Sequence, residues 1–375
     1  SIHGSFWIAV LYWYYVELML KLYTYHIPFT SPFRVAGNEF SHREGIILVY
    51  QDQNLGIEAY GEIAPLPGFS DESLEEVKEV LLLNREHLQK AIKAEEAKDT
   101  FLLLDRIHQF PSLSFGLDTL LYDLAAKRSG KSLVQYLFPG FHSSVNSNGT
   151  LPLKKESATL SEADRLVREG FQTLKVKVGI DFSKEQRILK SLRLKYPDIK
   201  IRIDANQAWS TEEAINNLKT LEDLDIEYCE QPVPKHELSS LKEVTNSVNI
   251  PTAADESVRN KRSAEELSNI KAINVLILKP MLMGTFNDIF VTKDVADTHN
   301  IEVVFTTLLE SAIGRAATAA ISAGLGNKDH AQGLTTGTFL QKDVAPDNWI
   351  NRAVIKFPDK NGLGISLNLE GLTEL

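Results

Sequence analysis

Between about residues 18 and 60 apolar and polar positions alternate, in YVELMLKLYTYHI and again in GIILVYQDQNLGIEAYGEI. A period of two, interrupted at Asp52, Asn54 and Gly56, predicts an antiparallel meander. A Gly/Pro loop, GEIAPLPGFS at 61–70, follows it. Two helical stretches come next, near 71–95 and 115–129; the first opens on a Ser/Asp cluster with acidic residues in its first turn, as a helix amino end prefers. From about 145 the pattern changes. Short apolar runs at 173–179, 199–206, 226–232, 250–257, 273–280 and 301–307 alternate with helix-like stretches near 159–170, 183–196, 211–223, 237–247, 262–269, 286–298 and 311–324. Alternation of this kind predicts a parallel sheet with crossover helices, and so many units in one unbroken series favour closure. The expected architecture is α/β: a (β/α)7β TIM-like barrel over 141–344, preceded by an α+β amino-terminal capping domain over 18–140. Residues 345–375 are expected to return and pack on the cap.

Residues 6–16, FWIAVLYWYYV, are continuously apolar or aromatic. A spanning helix needs about 20 such residues, and neither a basic leader nor a small-residue cleavage site accompanies them. Residues 1–17 are therefore expected to be a strand-like extension or an appended segment, and the protein to be cytoplasmic with no membrane partner. The length of 375 residues suits one barrel of ~250 residues and a smaller partner. A net charge of −10 argues against a nucleic-acid partner, whose phosphates need cations. The single cysteine, Cys229, excludes an intramolecular disulfide and a Cys-rich zinc site.

The chemistry is written at the strand ends. Lys175 and Lys177 are two apart and share one side of a strand. Asp204 and Asn206 end the next run, and Glu230, Asp255 and Lys279 follow at intervals of 26, 25 and 24 residues, about one βα unit each. They should gather at the carboxyl-end rim, where barrel active sites lie. Converging carboxylates repel unless a cation joins them, and all-oxygen donors suit Mg²⁺ or Mn²⁺. A lysine near such a cation in a closed pocket can be neutral and act as a base. The metal would hold a substrate carboxylate and stabilise the enediolate left when an α-proton departs. The expected ligand is thus a small-molecule carboxylate; oligomeric state stays open.

The set Lys175-Val176-Lys177, Asp204-Ala205-Asn206, Glu230-Gln231-Pro232, Asp255-Glu256-Ser257 and Lys279-Pro280 resembles the enolase superfamily, muconate-lactonising subgroup. Within it, GEIAPLPGFS (61–70), PSLSFGLDTLLYDL (111–124), RIDANQAW (202–209) and TTLLESAIGR (306–315) resemble the o-succinylbenzoate synthases of menaquinone biosynthesis most closely. The resemblance implies that Asp204, Glu230 and Asp255 bind the metal. It makes Lys177 the base and then the general acid, Lys175 its neighbour that tunes it, and Lys279 the charge that stabilises the enolate from the opposite face. The implied activity is that of a carbon–oxygen lyase, removing water from 2-succinyl-6-hydroxy-2,4-cyclohexadiene-1-carboxylate. The cap loops 27–34 and 61–70, with Pro65, Pro67 and Gly68, are expected to shape the mouth. Asn206, Thr306, Thr307 and Ser311 are expected to contact substrate, the last three on its succinyl side. An N-acylamino acid racemase, dipeptide epimerase or muconate-lactonising enzyme would use the same lysines, since each begins with α-proton abstraction. A non-catalytic binding or membrane-associated protein would have no reason to keep all six rim residues.

Overall fold

The computed structural model describes residues 19–35, 38–93, 107–141, 143–346 and 348–375. The apolar run at 6–16 lies outside them. The meander forms as β1 (Leu20–Val35), β2 (Asn38–Asp52) and β3 (Ile57–Ile63), all antiparallel. Between β2 and β3, Asp52 Oδ1 accepts the backbone N–H groups of Asn54 and Leu55, and Gly56 supplies the positive φ that closes the turn. At its centre both faces of this sheet are buried, whereas positions such as His26, Thr30 and Glu44 nearer the far end are exposed. Leu20, Leu22, Ile46, Leu48 and Tyr50 face the cap's helices, whereas Tyr23, Tyr25, Ile47, Val49 and Tyr60 join the barrel's core. A sheet covered on both sides needs no polar face, which explains the unbroken Ile46–Tyr50 run.

The cap's helices span Leu74–Lys93 and Pro111–Arg128. Ser73 and Glu76 cap the first reciprocally, each side chain bonding the other's backbone N–H. The second crosses β3 so closely that a Cβ on Gly61 would lie 2.1 Å from the Gly116 carbonyl oxygen. Gly61→Ala should therefore cost about 1–3 kcal/mol through overpacking. Urea unfolding checks this, and an unchanged midpoint would contradict it.

After the short β4 (Val145–Asn146), the barrel strands follow in chain order: β5 (Gly149–Leu151), β6 (Thr173–Lys177), β7 (Lys200–Asp204), β8 (Ile226–Glu230), β9 (Thr252–Ala254), β10 (Val275–Leu278) and β11 (Glu302–Phe305). All are parallel and each pairs with its chain neighbour. The eighth position is irregular. Gln332 exchanges backbone bonds with Asn146 and Asn148, and Gly333 with Phe305 and Thr307, so one short segment joins the first strand region to the last. Neither β5 nor this closure is long enough to stand out as an apolar run, which is why only six strands are legible in the sequence. Beyond the barrel, β12 (Val354–Ile355) pairs with β4, and β13 (Thr373–Glu374) pairs with β1. Among the described residues no helix is long and apolar enough to cross a membrane.

Arg202, buried inside the barrel, donates to the Ala331 carbonyl and to Glu227, while His330 bonds both Glu227 and Glu302. Burial alone would raise the Glu227 carboxyl, but His330 and Arg202 outweigh it and hold it near about 2. These ion pairs fasten the closing segment beneath the site.

Candidate active site

Lys175 and Lys177 stand on β6, Asp204 ends β7, Glu230 ends β8, and Asp255 and Lys279 follow β9 and β10 directly. In register, Lys177 pairs with Asp204 and Asp204 with Glu230. All six side chains line one cavity. Leu66 and Phe69 of the cap form part of its wall. Just past the strand ends Asn206, Gln231 and Leu309 adopt left-handed backbone (φ 45°, 38° and 62°). Such conformations cost free energy and persist where surrounding contacts enforce them.

The charges are tightly interleaved. Lys175 Nζ lies 2.9 Å from Asp204 and 2.8 Å from Glu230, and Lys279 donates to Asp255. Burial lowers the affinity of Lys175 for its proton, yet the fields of Asp204, Glu230 and Asp255 prevail and raise its pKa. Burial and repulsion from Asp204 push Glu230 up to about 8. Burial, then Asp255 and Asp204, push Glu256 up to about 7. Four buried carboxylates thus crowd one rim, and Glu256 Oε2 has no hydrogen-bond partner among the described residues. A hard divalent cation is the group that such a donor set fits: it would relieve the repulsion among the acids and satisfy oxygens of this type.

Asn206 lines the cavity; its side chain reaches Glu256 and its backbone N–H bonds Asp204. Thr306 and Thr307 also line it, with hydroxyls tied to Gly333 and Thr336. Ser311 does not. It is fully buried, its side chain caps the helix Ala312–Leu325, and its hydroxyl donates to Glu62. Its expected substrate contact is corrected accordingly: four residues beyond Thr307, the chain has already turned into a helix. Segment 27–34 is likewise part of β1, not a loop, and none of its described residues lines the cavity.

Several contributors were not singled out from sequence. Gln231, fully buried, accepts the N–H groups of Asp255 and Ser257 and donates to Val233 and Ser257, so it fixes Asp255 relative to Glu230. Arg259 donates to the Phe69 carbonyl and lies over its ring, and the Lys279 ammonium is 5.3 Å from that ring. Glu310 accepts from Leu308 N–H and Thr318. Burial, then the nearby charge of Glu62, raise its pKa from 4.5 to about 7. A folded carboxyl that binds its proton more tightly than the unfolded one loses stability as pH rises through 4.5 toward 7. Glu310→Gln should therefore gain about 2–3 kcal/mol on wild type between pH 5 and pH 8. Denaturation at both pH values checks this, and a pH-independent difference would contradict it.

The chain is similar to known proteins over most of its length. Residues 158–371 match the family model described as enolase C-terminal domain-like, and residues 18–124 match MenC, N-terminal domain. The L-Ala-D/L-Glu epimerase of Bacillus subtilis is 28% identical over 352 residues, covering 90% of this chain and 93% of the epimerase. The N-succinyl-L-Arg/Lys racemase of Bacillus cereus is 24% identical, with 95% and 96% covered. The crystal structure of a dipeptide epimerase from Enterococcus faecalis, complexed with Mg and L-Leu-L-Tyr, superimposes with a TM-score of 0.82 at 26% identity, covering 93% of this chain and 99% of that one. These relatives are epimerases and racemases, which are isomerases, and that overturns the expected carbon–oxygen lyase class. The barrel match alone spans more than half of the sequence, on a fold with the same capped parallel barrel: the chain belongs to the enolase superfamily.

Proposed function

We propose that the protein is a Mg²⁺-dependent isomerase that inverts the α-carbon of an N-acylated amino acid by 1,1-proton transfer. The observation that carries this is the placement of Lys177 and Lys279. In the ring of eight positions, β6 and β10 have three positions between them in either direction, so the two lysines reach in from opposite walls. A proton removed by one and returned by the other inverts configuration.

Asp204, Glu230 and Asp255 would hold the metal. When bound, it supplies a positive charge that binds the substrate carboxylate and stabilises the charge developing on it. The Enterococcus relative carries Mg in its structure, which supports this choice of ion. Lys175, engaged by Asp204 and Glu230, balances charge on the metal side, and proton transfer falls to Lys177 and Lys279. Gln231 keeps two of the carboxylates in register. Leu66 and Phe69 exclude water from the cap side, which strengthens the electrostatic interactions within.

The wall also bears on substrate class. Among the described residues, the only carboxylates lining the cavity are the three assigned to the metal. The remaining wall includes Thr306, Thr307, Leu308, Leu309 and Thr336, so a free ammonium would be desolvated without a counter-charge. This favours N-succinyl or other N-acyl amino acids. Dipeptide epimerisation is the second reading, supported by the names of relatives. A polarimetric screen with Mg²⁺ tests the choice: N-succinylated amino acids should lose rotation faster than free dipeptides. The reverse order would favour the dipeptide reading, and no loss with either class would overturn the proposal.

A further inference from the structure

The chain joins two walls of the cavity far from each other in sequence. One is the cap loop after β3, with Leu66 and Phe69; the other is the segment 306–309 after β11. Glu62, at the end of β3, lies between them with no exposed surface. Its carboxylate accepts from the Tyr25 hydroxyl (2.6 Å), the Ser311 N–H (2.8 Å), the Ser311 hydroxyl (2.6 Å) and the Gly314 N–H (2.7 Å). Three of these donors open the helix Ala312–Leu325, so a cap residue provides the negative charge at the amino end of a barrel helix. Arg43 spans the same gap from the opposite charge, donating to the carbonyls of Ala64, Pro65 and Leu308.

We infer that Glu62 is a positioning residue for the reaction: it sets the spacing between the cap wall and the 306–309 wall, and through them the substrate's acyl group. Glu62 is four and seven residues from Leu66 and Phe69, and Ser311 is two from Leu309. A carboxylate anchored by four short bonds leaves little slack over such lengths. The role rests on the proposed reaction, in which turnover depends on holding the α-carbon between the two lysines. Misplacement by an ångström can cost about 10²-fold in rate.

The test compares Glu62→Ala, Glu62→Gln and Leu113→Ala in the full chain with Mg²⁺. Leu113 lies in the cap's own core, does not line the cavity, and serves as a control for lost stability. Glu62→Ala should lower kcat about 10–100-fold with a smaller change in KM. It should also speed amide hydrogen exchange in both 64–70 and 306–314. Glu62→Gln keeps acceptor capacity but cannot accept at every position, so it should fall between Ala and wild type. Leu113→Ala should lower Tm without either effect. Wild-type rate and exchange in Glu62→Ala would overturn the inference, as would equal losses in Leu113→Ala at matched Tm. If wild type turns over no N-acylamino acid or dipeptide, the proposed reaction fails, while the exchange arm still decides whether Glu62 couples the walls.

Discussion

Lys177→Ala and Lys279→Ala are each expected to lower racemisation by about 10²–10⁴-fold, the scale of a lost acid–base group. The two losses should differ in kind. With one lysine removed, the other can still take a proton from the face it covers, so exchange of the α-proton with solvent deuterium should survive for one enantiomer and vanish for the other. Lys177→Ala and Lys279→Ala should show opposite preferences. This follows from their positions on opposite walls, β6 and β10. Mass spectrometry of each enantiomer after incubation in D₂O reads it. Exchange lost equally from both enantiomers in a single variant, or near-normal rates in either, would contradict the assignment.

The second large effect concerns the acidic rim. Glu230→Gln keeps shape while removing one of the charges that a hard cation requires. Activity should fall by at least about 10²-fold, and wild type treated with a chelator should fall equally. Stability offers an independent reading. Binding to the folded state alone stabilises by RT ln(1 + [L]/Kd), so the wild-type Tm should rise with Mg²⁺. The variant should melt at the same temperature with and without it. It should not be greatly weakened in chelator, because the wild-type carboxyl is itself disfavoured there by burial and Asp204. A wild-type-like Mg²⁺ response in Glu230→Gln would remove this residue from the metal set.

How much of this was legible in the sequence depends on whether a feature is written in local order. The six rim residues were, because a barrel repeats strand ends at near-constant spacing and each end places a polar residue after an apolar run. The capped-barrel class was legible for the same reason. The closing contacts at Gln332 and Gly333 were not: an irregular strand held by a few backbone bonds leaves no period. Segment 27–34 was expected to be a loop only because the family resemblance places cap loops at the barrel mouth, yet β1 runs on through it with a bulge between Pro28 and Phe33. Ser311 and Glu62 illustrate the remaining gap. They are 249 residues apart, and Glu62 reads as an ordinary polar residue and Ser311 as a substrate contact until the cap docks on the barrel. Reaction class was the least legible, since β-elimination and 1,1-proton transfer begin with the same abstraction by the same lysines. The family's epimerases and racemase shift the reading to isomerisation, and the absence of a spare carboxylate among the described residues of the wall bears only on which substrate is isomerised.

The most direct measurement is proton NMR of an N-succinyl-L-amino acid in D₂O with the Mg²⁺-loaded protein. The α-proton signal should disappear as the racemate accumulates, with no other change in the substrate's carbon skeleton, and chelation should stop both. A folded, metal-loaded protein that leaves the α-proton of every N-acylamino acid and dipeptide in place would contradict the account.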